Sequence, residues 1–375
     1  MGKYITALSE SKTLIVKIGS ALLVDAETGQ LRQAWLSGIA TDIADIRARG
    51  TDVIIVSSGA IALGRTRLNL RGRQLSLSEK QACAAVGQAV LTRAYEDALA
   101  QHGFATAQAL LTLPDTEDRT RWINASRTLR ALLKLGAVPV INENDTVATD
   151  EIRYGDNDRL AARTAQMVGA DMLVLLSDID GLYTADPRRH ARAQHMPVIA
   201  QITPGILAMG GDPNSKAAMG SGGMATKLLA AQIAVKAGCH MIITSGEVER
   251  PLSALQSGAR ASWFVAHADP ASARKQWISG QLRSHGQLHI DDGAAHALRS
   301  GKSLLPAGVT KSAGSFSAGD AVTVVHNAKA IAKGLAGYDA AETQQILGLK
   351  SGDITGALGY SLGAALIHRD NLVLL

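Results

Sequence analysis

The stretch INENDTVATDEIRYGDND, from Ile141 to Asp158, carries three asparagines, four aspartates and two glutamates around a single basic residue, Arg153. It follows the apolar run AVPV, so it begins where a predicted buried strand ends. Open α/β sheets bind their ligands at the carboxyl ends of the strands. Burying so many unpaired charges in a core would be very costly. The stretch therefore faces solvent, binds a metal ion or holds a polar ligand.

Strand and helix patterns alternate on both sides of this stretch, from Thr13 to about Ala268. Continuous apolar runs, which are typical of strands covered on both faces, predict strands in TLIVKIG (13–19), DVIIVSSG (52–59), AVPVIN (137–142), DMLVLLSD (171–178) and HMIITSG (240–246). The segments between them have helical periodicity, and most end in a basic residue followed by glycine, which stops helices. This alternation predicts an α/β fold, a three-layer αβα sandwich with a mostly parallel sheet.

The pattern changes after about Ala268. The segment ADPASARKQWISG (268–280) is polar and predicts a connector. Beyond Gly286 the strand-like segments are short and glycine is frequent, which predicts a small, β-barrel-like second domain. We therefore expect a first domain over residues 1–268, a linker over 269–285 and a second domain over 286–375.

The composition predicts a folded protein with large hydrophobic cores and disfavours several other classes of protein. A chain of 375 residues that is 46% hydrophobic is too long for one typical domain and too apolar for disorder. The net charge of +5 is weak for a nucleic-acid-binding protein. Cys83 and Cys239 lie in apolar patterns and predict buried free thiols, as in a reducing compartment. The chain shows no membrane span and no signal-peptide pattern, so we expect a cytoplasmic protein.

Three further polar motifs follow predicted strands. Lys17 sits in an otherwise apolar strand, where it either extends to the sheet margin or points a cation into the crevice beside Gly19. Ser57-Ser58-Gly59-Ala60 precedes a helical segment, whose exposed N–H groups favour anions, although such turns also occur as simple helix caps. Ser177-Asp178 opens a polar, turn-rich segment that could hold a nucleotide or simply form a turn.

A glycine-rich loop, MGSGGMATK from Met219 to Lys227, leads directly into a predicted helix. Loops of this kind cradle phosphates. The segment lacks the Walker A spacing, and Ala225 interrupts a GxGxxG pattern, which disfavours a dinucleotide fold. Gly301-Lys302-Ser303 follows a helix and predicts only a turn. Two lysines, a glycine loop and an acid–amide cluster together are what phosphoryl transfer requires.

In this order, the motifs VKIGS, SSGAIALG, PVINENDTVAT, GDND, GLYTADPR and GGMATK resemble the amino-acid kinase family, and within it the glutamate 5-kinases. The tail from about Gly286 resembles a PUA domain, a small RNA-associated β fold. The resemblance covers essentially the whole chain. It implies ATP- and Mg²⁺-dependent phosphorylation of the side-chain carboxylate of L-glutamate, the first step of proline synthesis.

The resemblance also implies roles for individual residues. Lys17 and Lys227 would neutralise the transferring phosphoryl group, and Asp158 would organise the two lysines. Glutamate would contact Ser58, Asp145 and Asn157. ATP would contact Lys17, Ser177, Asp178, Ser221, Gly222, Gly223, Met224, Ala225, Thr226 and Lys227. Ala225 and Ser177 depart from the family pattern, where Ser and Thr are expected, and the first change removes a hydroxyl from the phosphate loop.

The remaining expectations concern partners and rival functions. The resemblance implies a homo-oligomer, dimer or tetramer, with proline as a feedback inhibitor at the glutamate site. The nearest rival is a related kinase acting on another carboxylate or carbamate; others are a catalytically inactive subunit and an RNA-binding protein. The tail from Gln276 to Leu375 has eight Lys/Arg against seven Asp/Glu, so at most a weak RNA contact is expected there.

Overall fold

The computed structural model describes residues 7–148, 156–211, 223–281 and 283–375. The chain forms two compact units. The first comprises Met1–Glu117 and Ala125–Pro270, and the second comprises Asp118–Asn124 and Ala271–Leu375. The domain limits expected from the sequence, 1–268 and 286–375 with a linker between them, stay a prediction.

The first unit is built on an eight-stranded sheet with one small two-stranded sheet beside it. In chain order its strands are β1 (Thr13–Ile18), β2 (Asp52–Ser57), β3 (Thr106–Leu111), β4 (Val138–Glu143), β5 (Met172–Ser177), β6 (Leu182–Tyr183), β7 (His195–Met196), β8 (Val198–Ile199), β9 (His240–Ser245) and β10 (Ala261–Phe264). The large sheet has the order β3-β4-β2-β1-β5-β9-β10-β8, and β6 pairs with β7. In the large sheet, six neighbouring strands run parallel to one another, namely β3, β4, β2, β1, β5 and β9, and β10 runs antiparallel to β9. The predicted, mostly parallel sheet is confirmed.

The helices of this part of the chain, numbered over the described residues, cover both faces of the sheet. They are α1 (Ser20–Leu23), α2 (Gln33–Arg47), α3 (Ala60–Arg67), α4 (Leu77–Ala100), α5 (Leu113–Glu117), α6 (Arg119–Lys134), α7 (Asp156–Val168), α8 (Pro204–Ala208), α9 (Met224–Lys236) and α10 (Pro251–Gln256). On one face, alternate residues of β1 such as Val16 pack with Trp35 of α2 and Tyr95 of α4. On the other, α7 contacts β1 and β5 and packs against α9. Lys17 alternates with Val16, so it points to the α7 side.

Helices α3 and α4 approach each other through glycine. A β-carbon on Gly87 would lie 1.8 Å from the carbonyl oxygen of Ala60, and one on Gly64 would lie 1.8 Å from that of Cys83. No backbone atom tolerates such a distance, so the two helices can be this close only because both positions lack a side chain. This contact positions the start of α3, directly after Ser58.

Replacing Gly87 with alanine is therefore expected to destabilise the first unit. Overpacking costs about 1–3 kcal/mol, and the clash with a backbone oxygen places this case in the upper part of that range. The cost then exceeds the roughly 1 kcal/mol that alanine gains over glycine in a helix. The measurement is the thermal unfolding midpoint, which should fall by several degrees. Gly356→Ala is the matched control, because Gly356 is also helical and a β-carbon there meets nothing within 4 Å. Equal midpoints for the wild type and Gly87→Ala would contradict the prediction.

The second unit contains a five-stranded sheet with the order β12-β11-β13-β14-β15. Its strands are β11 (Gly286–Ile290), β12 (Val309–Gly314), β13 (Ala321–His326), β14 (Lys329–Leu335) and β15 (Leu372–Leu374), and its helices are α11 (Pro270–Gln281), α12 (Asp292–Arg299), α13 (Ala340–Ile346) and α14 (Ile354–Leu358). Leu288, Val324 and Tyr338 lie in its core. The predicted small β domain is confirmed in this unit.

Three smaller expectations can be compared with the structure. The segment expected to be a polar connector instead forms helix α11, whose Ile278 is fully buried. Gly301 follows α12 with a φ of +74°, so the GKS sequence forms a turn as expected. Cys83 and Cys239 are both buried and free, as predicted. Within the described ranges, no helix combines the length and apolar character needed to cross a membrane.

Candidate functional site

The polar motifs of the sequence meet at one edge of the parallel sheet. β1 pairs with β2 on one side and with β5 on the other, with Lys17 opposite Val56 and Leu175. Because these strands run in the same direction, Ser57 and Ser177 end their strands at the same edge as Lys17. β4 ends there too, at Glu143, next to β2. This is the edge at which α/β sheets bind ligands.

Lys17, Asp158 and Lys227 form a buried ionic cluster at this edge. The Lys17 Nζ lies 2.5 Å from Asp158 Oδ1, and the Lys227 Nζ lies 3.2 Å from Asp158 Oδ2. The three residues are only 6%, 0% and 5% exposed. Three elements supply them: β1, the first turn of α7 and the first turn of α9. A single carboxylate thus binds two ammonium groups, one on each oxygen, and sets the spacing between them.

The electrostatics of the cluster keep Asp158 ionised. Burial opposes the charged form of its carboxyl, but the charges and hydrogen bonds of Lys17 and Lys227 outweigh burial and lower the pKa of Asp158 to about 2. Burial lowers the pKa of Lys17, with a further contribution from the Lys227 charge, while Asp158 and Asp178 oppose the shift. Charges held in such a poorly solvated place interact more strongly with a ligand than they would in water.

The N-terminus of α9 brings the end of the glycine loop to the cluster. Gly223 caps the helix, Met224 begins it, and the Thr226 hydroxyl lies 3.1 Å from Asp158 Oδ2 and 2.8 Å from the Gly223 carbonyl. Ala225 is buried, and a β-carbon on Gly210 would lie 2.8 Å from its Cα. Ala225 therefore packs against the neighbouring segment. The predicted positions Ser221 and Gly222 lie outside the described residues.

Asn157, one residue before Asp158, turns to the other side of the site. Its Nδ2 lies 2.9 Å from Ser58 Oγ, 3.1 Å from the Ser57 carbonyl oxygen and 3.1 Å from Asn142 Oδ1. The structure thus brings together two of the three residues expected to contact glutamate, Ser58 and Asn157. The third, Asp145, is half-buried in the segment that follows β4.

The two residues expected to contact ATP after β5 are adjacent to each other. Ser177 Oγ donates a hydrogen bond of 3.0 Å to Asp178 Oδ1. The other oxygen of Asp178 accepts from Arg188 Nη2 at 2.8 Å. Partial burial opposes the charged form of the Asp178 carboxyl, but the hydrogen bond and charge of Arg188, together with the hydrogen bond of the Ser177 hydroxyl, outweigh it and lower the pKa of Asp178.

Three residues of the site had no predicted role: Asn142, Gln88 and Arg188. Asn142 lies within the acid–amide stretch and Arg188 lies within the motif GLYTADPR, so both belong to segments that the sequence already marked as functional. Gln88 lies on α4 and gave no signal, because a glutamine on an amphipathic helix usually faces solvent.

The metal alternative for the acid–amide stretch is covered only in part by the described residues, because Asp150 and Glu151 lie outside them. Within the described residues, no group of three or more His, Cys, Asp or Glu side chains is placed to hold a metal ion. Both oxygens of Asp158 already face ammonium groups.

Comparison with known proteins agrees with this geometry. Residues 12–245 match the model of the Amino acid kinase family, and residues 286–358 match that of the PUA domain. A protein named Glutamate 5-kinase 1, from Rhizobium meliloti (strain 1021), is 56% identical over 375 residues, which cover 100% of this chain and 95% of the relative. Glutamate 5-kinase of Paramagnetospirillum magneticum is 56% identical over 368 residues, covering 98% and 99%.

Among solved structures, carbamate kinase from Giardia lamblia bound to AMP-PNP matches with a TM-score of 0.48 and 17% identity, covering 68% of this chain and 99% of that one. A score of this size supports no inference about substrate. The family model, in contrast, spans more than half of the chain, and the relatives extend along nearly all of it. The chain therefore belongs to the amino acid kinase family.

Proposed function

We propose that the protein transfers the γ-phosphoryl group of ATP to the side-chain carboxylate of L-glutamate, giving L-glutamyl 5-phosphate for proline biosynthesis in the cytoplasm. The observation that carries the proposal is the buried cluster of Lys17, Asp158 and Lys227 at the carboxyl edge of the sheet. Relatives that are 56% identical over nearly the full chain and are named glutamate 5-kinases support the choice of glutamate.

The chemistry needs no general base. A glutamate side chain has an ordinary pKa of about 4.3, so the nucleophile is already ionised at neutral pH. The obstacle is the approach of this anion to the phosphates. Lys17 and Lys227, held at a set spacing by Asp158, neutralise charge that develops on the transferring group. Mg²⁺ bound to the phosphates would neutralise further charge and align them.

The remaining residues divide between the two substrates. Ser58, Asp145 and Asn157 bind glutamate in this proposal, on the side of the site formed by β2 and β4. Ser177 and Asp178, after β5, bind ATP together with the segment from Ser221 to Lys227. The N–H groups at the start of α9, capped by Gly223, favour a phosphate there even though Ala225 offers no hydroxyl.

The test is hydroxamate formation with ATP, Mg²⁺ and hydroxylamine, which traps an acyl phosphate. We expect product with L-glutamate and none with L-aspartate or N-acetyl-L-glutamate. Omitting ATP is the control for non-enzymatic product. If L-glutamate gives no hydroxamate while another carboxylate does, the protein is a related kinase and the glutamate assignment is wrong.

The other expectations are proposed on the resemblance alone. Proline, which derives from glutamate, would compete at the glutamate side of the site. The protein would assemble as a dimer or tetramer, and residues 286–375 would make at most a weak RNA contact, since the charged residues of the tail nearly balance.

A further inference from the structure

Three side-chain amides form a chain that links α4, β4 and α7. Gln88 Oε1 lies 2.7 Å from Asn142 Nδ2, and Asn142 Oδ1 lies 3.1 Å from Asn157 Nδ2. Asn142 is 2% exposed, and its hydrogen bond to Gln88 joins residues 54 positions apart in sequence. The close packing at Gly87 brings this part of α4 against its neighbours, next to Gln88.

Backbone partners identify which side-chain amide atom is the oxygen and which is the nitrogen in Asn142 and Asn157. A backbone N–H can only donate and a carbonyl can only accept, whereas the oxygen and nitrogen of a side-chain amide can exchange places by a flip. The Glu143 N–H donates to Asn142 Oδ1 at 2.9 Å, so the Asn142 nitrogen must face Gln88. The Ser57 carbonyl accepts from Asn157 Nδ2, which fixes that amide in the same sense.

The result is a defined position for the Asn157 oxygen. The two N–H bonds of its nitrogen are shared among the Ser57 carbonyl, the Ser58 hydroxyl and Asn142 Oδ1, so the Asn157 oxygen points away from these three acceptors. This oxygen is buried and has no hydrogen-bond partner among the residues that the structure describes. A buried acceptor without a partner is costly, so a ligand that donates a hydrogen bond is favoured there. The ammonium group of an amino acid is such a donor, and it is charged.

We infer that Gln88 is a positioning residue for substrate recognition: acting through Asn142, it holds the Asn157 amide with its oxygen turned toward the amino group of the substrate. This inference rests on the proposed function, and adds to it a residue remote from the substrate. Gln88 does not contact the substrate in this arrangement. The Gln88 oxygen accepts a hydrogen bond from the buried Asn142 nitrogen. Without this acceptor the Asn142 side chain would rotate, and its hydrogen bond to the Asn157 nitrogen would be lost.

The experiment compares two substitutions at the same position. Gln88→Leu removes the acceptor and should raise KM for L-glutamate by about 5- to 10-fold, the equivalent of one net hydrogen bond, with KM for ATP and kcat changed less than about twofold. Gln88→Glu keeps an acceptor oxygen at the same reach and should restore KM to near the wild-type value. Gln101→Leu, at the exposed C-cap of the same helix, is the matched control and should leave all three constants unchanged.

A selectivity measurement separates positioning from general damage. Glutarate has the two carboxylates of glutamate but no amino group, so it cannot donate to Asn157 Oδ1. The ratio of kcat/KM for L-glutamate to that for glutarate should fall in Gln88→Leu and be kept in Gln88→Glu. A merely structural defect would lower both values together and leave the ratio unchanged.

The outcomes are distinguishable. If the wild type forms hydroxamate with L-glutamate but Gln88→Leu keeps its KM and its selectivity, the inference is wrong and the proposed function stands. Equal impairment in Gln88→Leu and Gln88→Glu also overturns it, because an acceptor would then not be what matters. A wild type that does not use L-glutamate overturns the proposed function and this inference with it.

Discussion

Replacing Lys227 with alanine should lower kcat by about 10²- to 10³-fold, the usual effect of removing one group that stabilises developing charge in a transition state. The ammonium group lies 3.2 Å from Asp158 Oδ2, and Lys227 is only 5% exposed. A water molecule that took the place of the ammonium group would not restore its charge. Lys227 stands on the ATP side of the proposed site, whereas Ser58 and Asn157 remain in place on the glutamate side. KM for L-glutamate should therefore change by no more than a few fold.

The measurement is steady-state hydroxamate formation at saturating ATP and varied L-glutamate. Lys236→Ala is the matched control, because Lys236 is an exposed residue in the last turn of the same helix, α9. That variant should keep the wild-type kcat and KM. Near-normal turnover in Lys227→Ala would remove Lys227 from the catalytic groups, and a large rise in KM alone would assign it to binding instead.

Replacing Asp158 with asparagine should lower the free energy of unfolding of the first unit by about 3–5 kcal/mol, because breaking a buried ion pair leaves uncompensated charge behind. Asp158 is 0% exposed and faces both Lys17 and Lys227. Asparagine keeps the shape but offers only one oxygen, and its nitrogen would face an ammonium or hydroxyl group. The kcat should also fall by orders of magnitude, because Lys17 and Lys227 lose the carboxylate that holds their ammonium groups at a fixed distance from each other.

The pH dependence of stability should identify Asp158 as the source of this loss. The pKa of Asp158 is lowered from 3.8 to about 2 in the folded state. Its contribution is therefore complete above about pH 4 and is lost as the pH falls toward 2. The difference in unfolding free energy between the wild type and Asp158→Asn should narrow by on the order of 2 kcal/mol across this window.

Urea unfolding monitored at several pH values measures both effects. Asp97→Asn is the matched control, because Asp97 pairs with Arg93 on the exposed surface of α4. Exposed pairs contribute about 0–1 kcal/mol, so this variant should unfold almost like the wild type. A loss in Asp158→Asn no greater than that of the control would show that the buried cluster does not stabilise the fold.

The sequence predicted strands correctly where the residues of a strand are almost all buried. The five apolar runs predicted as strands are all strands, because residues covered on both faces of a sheet must be apolar throughout. β3, with the sequence TAQALL, was not predicted. It lies at the edge of the sheet and its residues are only partly buried, so its pattern is not continuously apolar. Helix α11 was also missed, because its two buried apolar residues among the described side chains, Ala273 and Ile278, give too little periodicity to distinguish a helix from a connector.

The sequence by itself determined the α/β class, the small second β domain and the residue types that meet at the sheet edge, because parallel strands place their carboxyl ends together. The joint action of Lys17, Asp158 and Lys227 was expected only through the family resemblance. Only the tertiary structure decided how the site is arranged: Asp158 binds one lysine on each carboxylate oxygen, and Gln88 reaches Asn142 from a separate helix. The physical reason is that hydrogen-bond direction depends on distances between segments far apart in the chain, which no local pattern of residues encodes.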